Sequence, residues 1–136
     1  MGRGRGALVW LLTAAYVALL GWILFAADKR FLRRIAVDVY TALGEGMPTA
    51  VRPAHYELAL YVLLFIPLGW LALRATRRPM SWVAVGCVWA VVMAEFAQVA
   101  LLDRRGSVVE VLAASFGAML GTLVAQRAED SRDRLR

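Results

Sequence analysis

The chain has few of the residue types from which soluble catalytic and metal centres are built. It contains one cysteine, Cys87, and one histidine, His55. A single cysteine inside an apolar run excludes an internal disulfide and a CxxC-type metal site. The sequence also lacks a P-loop, an H-E-x-x-H motif and a G-x-S-x-G motif. We therefore expect no metal and no other cofactor, and we interpret His55 as an interface residue rather than a ligand or a base.

Charge is also scarce. Only 19% of the residues are charged and 61% are hydrophobic, and the mean hydropathy is +0.62, which indicates an integral membrane protein rather than a soluble domain. Basic residues exceed acidic ones by 16 to 10, giving a formal charge of +6. These basic residues stand at the ends of apolar runs, where lipid headgroups account for them. Nucleic acid is therefore not expected as a partner.

Four apolar runs are long enough to cross a bilayer, which takes about 20 helical residues. They cover residues 7–27, 57–73, 81–102 and 107–125, and the second is the shortest. The length of the chain predicts a single domain over residues 1–136. The predicted fold class is all-α: an integral membrane four-helix bundle.

The connection between the first two spans contains a further helical pattern. From residue 29 to 43, apolar residues recur at helical spacing on one side, and most of the polar residues occupy the other. This pattern predicts an amphipathic helix lying in the membrane interface on the extracytoplasmic side. At the other end of the chain, residues 127–136 are mostly charged and are interpreted as a solvated cytoplasmic tail.

The distribution of arginine and lysine predicts the orientation. Placing the amino terminus in the cytoplasm puts the basic residues of the short 74–80 loop and of both termini inside, as the positive-inside rule requires. Both termini are therefore expected in the cytoplasm. Trp89 is deeper in the third span than the other tryptophans, and we expect it to pack inside the bundle.

A group of polar residues is expected near the outer end of the bundle. A charged side chain inside a span costs roughly 2.5–3.5 kcal/mol, so it is expected to have a partner or a function. The tight turn between the third and fourth spans makes these helices antiparallel neighbours. This turn brings together Glu95, Gln98, Arg104, Arg105, Ser107 and Glu110, and Glu57 enters the second span at the same level.

Glycine and proline positions predict how the helices pack. Glu110, Ala114, Gly117 and Gly121 share one face of the fourth span, and Gly117-x-x-x-Gly121 allows another backbone to approach closely. Pro67 interrupts the backbone hydrogen bonding of the second span, with Gly69 expected to ease the resulting bend.

The order of these motifs resembles the VanZ-like family of small membrane proteins, whose founding member is associated with resistance to the glycopeptide teicoplanin. The matching segments, in chain order, are Phe65-Ile66-Pro67-Leu68-Gly69, Glu95-x-x-Gln98, Arg104-x-x-Ser107-x-x-Glu110 and Gly117-Ala118-x-x-Gly121. The resemblance covers roughly residues 55–125 and implies a bacterial cytoplasmic membrane location. The family usually has Asp at the position of Glu110 and Asn at those of Ala114 and Tyr61, so two amide side chains are replaced here.

Three functions are compatible with this pattern. The first is binding of an anionic or polar headgroup, from a membrane lipid or a lipid-linked envelope precursor, by Arg104 and Arg105 with Glu95 and Gln98 orienting it. Such binding could alter sensitivity to envelope-directed antibiotics. The second is a non-catalytic assembly subunit, with a protein partner, in which the polar group only holds helices together. The third is a membrane enzyme with Glu95 as general base, which the two lost amides disfavour.

Overall fold

The computed structural model describes residues 3–26, 30–43, 53–102 and 107–134. Nearly all of them are helical. The helices are α1 (Arg3–Gly21), continued by a π-helical turn (Trp22–Ala26), α2 (Arg30–Leu43), α3 (Pro53–Thr76), α4 (Met80–Leu102) and α5 (Val108–Asp133). The described part of the chain contains no strand, which confirms the all-α prediction.

Four of these helices are long and apolar enough to cross a membrane: Gly6–Phe25, Ala54–Thr76, Met80–Leu102 and Val108–Arg132. The chain is accordingly a multi-pass membrane protein. The second span is longer than predicted by three residues at each end, so it is not the shortest. The helix of the fourth span, α5, also continues beyond residue 125. The charged segment predicted as a tail is helical as far as Asp133.

The centre of the bundle is the contact between α3 and α5, which run parallel. A Cβ atom at Gly117 would overlap the carbonyl oxygen of Val62, and one at Gly121 would overlap that of Ile66. Reciprocally, a Cβ at Gly69 would overlap the carbonyl oxygen of Ala118. Glycine is required at these positions because the two backbones touch. Gly117 and Gly121 thus lie at the contact with α3, and Gly69 serves the same interface from the opposite side.

Helix α1 is attached to α3 near the proline of that helix. Pro67 lies inside α3 and has no backbone N–H, so it cannot complete the usual helical bond to Leu63. One residue further along, the carbonyl of Leu64 accepts a hydrogen bond from the Tyr16 hydroxyl of α1. A side chain from a neighbouring helix thus bonds to the backbone beside the proline, as is common in membrane helices.

Helix α4 packs against α3 and α5 through one face only. Val83, Cys87 and Val91 of this face are buried, whereas Trp82 and Phe96 are exposed. Trp89 is 59% exposed, so the prediction that it packs inside the bundle is wrong. It lies on the apolar outer surface, where a membrane supplies the contacts that the protein does not.

Helix α2 lies against α3. Ala36 is completely buried, and the rings of Tyr40 and Tyr56 meet edge to face with their centroids 5.8 Å apart. Arg33 and Arg34 remain exposed on the other side. The predicted amphipathic helix therefore exists, starting at Arg30, and its buried side is the apolar one.

Candidate functional site

The polar group predicted from the sequence is assembled at the end of the bundle where α3 and α5 begin and α4 ends; we call it the polar end. Glu95 belongs to the last two turns of α4, and its Oε1 accepts a hydrogen bond of 2.8 Å from the backbone N–H of Ser107. Ser107 is the N-cap of α5. The Glu95 carboxylate therefore reaches the N-cap of the neighbouring helix and shows that α4 and α5 are in contact at this end.

Ser107 and Glu110 form half of a capping box. The Ser107 hydroxyl accepts a hydrogen bond from the backbone N–H of Glu110 at 3.3 Å. In a complete capping box the Glu side chain would return to the N–H of the N-cap residue. Here Glu95 has taken that N–H, so the Glu110 carboxylate is available for another partner.

That partner is Tyr61 of α3. Its hydroxyl donates a hydrogen bond of 2.9 Å to Glu110 Oε2. Tyr61 is half-buried. Two hydrogen bonds, from Ser107 to Glu95 and from Tyr61 to Glu110, thus connect α3, α4 and α5 at the polar end.

A small cavity of about 20 Å³ lies beside these bonds. Glu95, Gln98, Glu110 and Tyr61 supply its polar wall. The apolar wall consists of Leu24 in the π-helical turn, Phe65, Val91, Ala94, Val111 and Ala114. Roughly 10–15 Å³ is enough for one water molecule, so the cavity admits a single small polar group.

Gln98 is the most deeply buried polar member of the site, at 6% exposure. Among the residues that the structure describes, no group forms a hydrogen bond with its amide. Ser107 and Glu110 are half-buried, as is Glu57, which lies one helical turn before Tyr61 and does not line the cavity. Arg104 and Arg105 lie outside the described residues, so their predicted place in the site stays a prediction.

Sequence reasoning missed two features of this site. Tyr61 was not among the residues predicted for the site, although its position four residues after Glu57 places both on one face of α3. The capping role of Glu95 was also missed, because the capping-box pattern Ser107-x-x-Glu110 assigns the N–H of Ser107 to Glu110. Within the described ranges, no group of three or more His, Cys, Asp or Glu residues is arranged to hold a metal ion.

Comparisons with known proteins identify no relative. No protein-family model matches the chain, and neither the curated proteins nor the solved structures include a significant match. The resemblance to the VanZ-like family therefore rests on the residues quoted above.

Proposed function

We propose that this chain is a VanZ-like membrane protein whose polar end binds the headgroup of a lipid or of a lipid-linked envelope precursor. The observation that carries the proposal is the convergence of Glu95, Gln98 and Glu110 on one cavity beside Ser107, the N-cap of α5. Arg104 and Arg105 precede that residue by three and two positions. Carboxylates, an amide and arginines are thereby concentrated at one end of an otherwise apolar bundle.

In this proposal the arginines bind the phosphate of the headgroup. Guanidinium groups form paired, charge-assisted hydrogen bonds with phosphate oxygens. Glu95 and Gln98 orient the remainder of the headgroup. With both termini in the cytoplasm, the polar end lies in the outer leaflet of the bacterial cytoplasmic membrane, and α2 lies along the same interface. Binding there would alter sensitivity to glycopeptides and other envelope-directed antibiotics.

The proposal is tested by measuring the lipid that remains bound to the protein. Native mass spectrometry of the detergent-purified wild type is expected to show retained phospholipid or envelope precursor, and Arg104→Ala/Arg105→Ala is expected to lose it. Arg127→Ala/Arg132→Ala, which changes exposed arginines at the other end of α5, is the matched control. Equal lipid content in all three proteins would contradict the proposal. Reporter fusions after Arg78 and at the carboxyl terminus test the orientation and should both report the cytoplasm.

A second function, as a non-catalytic assembly subunit, is favoured by the two interhelical hydrogen bonds. Ser107 to Glu95 and Tyr61 to Glu110 satisfy buried groups that would otherwise be costly in a membrane. If holding helices together is their only role, Glu95→Leu should lower stability while no variant changes lipid content. A catalytic role for Glu95 gains less support, because one of its carboxylate oxygens is already engaged by the α5 backbone.

A further inference from the structure

The interior of the polar end is rich in hydrogen-bond acceptors. Glu95 Oε1 and Glu110 Oε2 each accept one bond from the protein, and each carboxylate has a second oxygen. Carboxylates accept hydrogen bonds and donate none. The Tyr61 hydroxyl, which also lines the cavity, already donates to Glu110. The group that best complements this cavity is therefore a donor, and a positively charged one.

Gln98 provides independent evidence for a ligand. Its side chain lines the cavity and is more than nine-tenths buried. Its amide finds no hydrogen-bond partner in the described part of the chain. The amide oxygen is therefore available to accept a hydrogen bond from an occupant of the cavity.

The size of the cavity limits the occupant. About 20 Å³ accommodates one water-sized group, such as a hydroxyl or a primary ammonium. It does not accommodate a trimethylammonium group, which carries three additional carbon atoms. A primary ammonium has three N–H donors, and the cavity offers three side chains that can accept them: Glu95, Glu110 and Gln98.

We propose that the cavity binds the primary ammonium of a phosphoethanolamine-type headgroup. This inference rests on the proposed function, since it assumes that Arg104 and Arg105 bind the phosphate of the same headgroup. The Glu95 carboxylate is 2.8 Å from the Ser107 nitrogen, so the cavity lies next to Ser107, which follows Arg105 by two positions in the sequence. A two-carbon arm then connects a phosphate outside to an ammonium inside. The site selects an amine-tipped headgroup over its N-methylated analogues.

The test compares lipids that differ only in methylation of the amine. The full-length protein is incubated in detergent with equimolar dioleoyl phosphatidylethanolamine and its mono-, di- and trimethylated analogues, and bound lipid is counted by native mass spectrometry. The wild type is expected to prefer the unmethylated lipid over phosphatidylcholine by about tenfold, which corresponds to about 1.4 kcal/mol. The preference should fall with each methyl group added.

Two variants connect this preference to the cavity. Glu95→Gln keeps an oxygen that can accept the Ser107 N–H but removes the negative charge, so the preference should fall to about one while the melting temperature stays close to that of the wild type. Gln98→Leu should also lower the preference. Glu129→Gln, which neutralises an exposed carboxylate far along α5, should leave it unchanged.

The outcomes separate this inference from the proposed function. If the wild type retains the four lipids equally and Arg104→Ala/Arg105→Ala loses them all, headgroup binding stands and the ammonium site is wrong. If an unmethylated lipid is preferred and Glu95→Gln preserves that preference, the amine is recognised elsewhere and the inference is also wrong. If no lipid is retained, both are wrong and the cavity holds only water.

Discussion

Helices α5 and α1 are both apolar enough to span the membrane, yet the bundle holds them very differently. In the most apolar window of α5, 33% of the residues are buried inside the protein, against 6% in α1. The difference follows from residue size and not from hydropathy, because lipid tails solvate apolar side chains as well as a protein does. Helix α5 presents Gly117 and Gly121 to a partner, whereas α1 attaches by the Tyr16 hydroxyl and by side-chain packing that includes Leu20. Close backbone contact, and not apolar character, distinguishes the core helix from the peripheral one.

The largest effect is expected where the two backbones of the core touch. Gly117→Val would drive its side chain into the carbonyl of Val62, and a backbone atom cannot move aside as a flexible side chain can. We expect a loss of at least about 3 kcal/mol in unfolding free energy, measured by reversible unfolding in mixed detergent micelles.

Gly86→Val is the matched control for this variant. Gly86 lies in α4, also a spanning helix, and a Cβ there would meet no atom within 4 Å. Its substitution should change stability little. If both variants lost the same stability, the loss would come from valine in a membrane helix, and the proposed distinction between core and peripheral helices would fail.

The second-largest loss of stability is expected when the hydrogen bond between Tyr61 and Glu110 is removed. Tyr61→Phe removes the hydroxyl that donates to Glu110 and leaves the ring in place. We expect a loss of about 1–2 kcal/mol, the upper part of the range for interhelical hydrogen bonds in membranes, because the acceptor is a carboxylate. The same unfolding measurement applies. A variant as stable as the wild type would show that Glu110 is satisfied by another group.

The corresponding substitution in the peripheral helix α1 should lower the unfolding free energy by a smaller amount. Tyr16→Phe removes the hydrogen bond to the Leu64 carbonyl, a neutral acceptor, and we expect about 0.6 kcal/mol, the average for such bonds. The specific consequence is looser attachment of α1, which cysteine cross-linking between α1 and α3 would detect as slower bond formation. Unchanged cross-linking would mean that the remaining apolar contacts hold α1 alone.

The smallest effect is expected on the lipid-facing side of α1. Leu11 is 68% exposed, so Leu11→Ala removes few protein contacts and should change stability by less than about 0.5 kcal/mol. Leu20→Ala, at a buried position of the same helix, is the comparison and should cost more. Equal losses would show that α1 packs against something on its outer side, such as a second protein chain.

Much of the fold was predictable, because hydropathy and helix length report directly on membrane spans. The four apolar runs and the amphipathic helix at Arg30–Leu43 were all recognised. The role of Gly117 and Gly121 was also predictable, but their partner was not. A glycine pair indicates that a backbone approaches without specifying which one, and here it belongs to α3. Trp89 was misjudged for a related reason: depth along a helix does not determine which way a side chain faces.

Three members of the site were predictable from the sequence, but the connections between its residues were not. Glu95, Gln98 and Glu110 were grouped because of a tight turn, and the structure brings them to one cavity. Helical rise, however, predicts the membrane depth of a backbone atom and not the position that its side chain reaches. The Glu95 side chain extends toward Ser107, which no spacing rule indicates. Tyr61 joins the site through the parallel contact of α3 and α5, and that contact becomes predictable only once the partner of the glycines is known.

The carboxylate that caps the start of α5 belongs to α4, and this has a consequence for membrane insertion. Since the N–H of Ser107 is satisfied by Glu95 and not by Glu110, the first turn of α5 cannot be completed in this form until α4 is beside it. The two helices are consecutive in the chain, so their pairing requires closure of only a short loop. We therefore expect α4 and α5 to enter the bilayer as a hairpin, with the carboxylate and the backbone N–H already bonded.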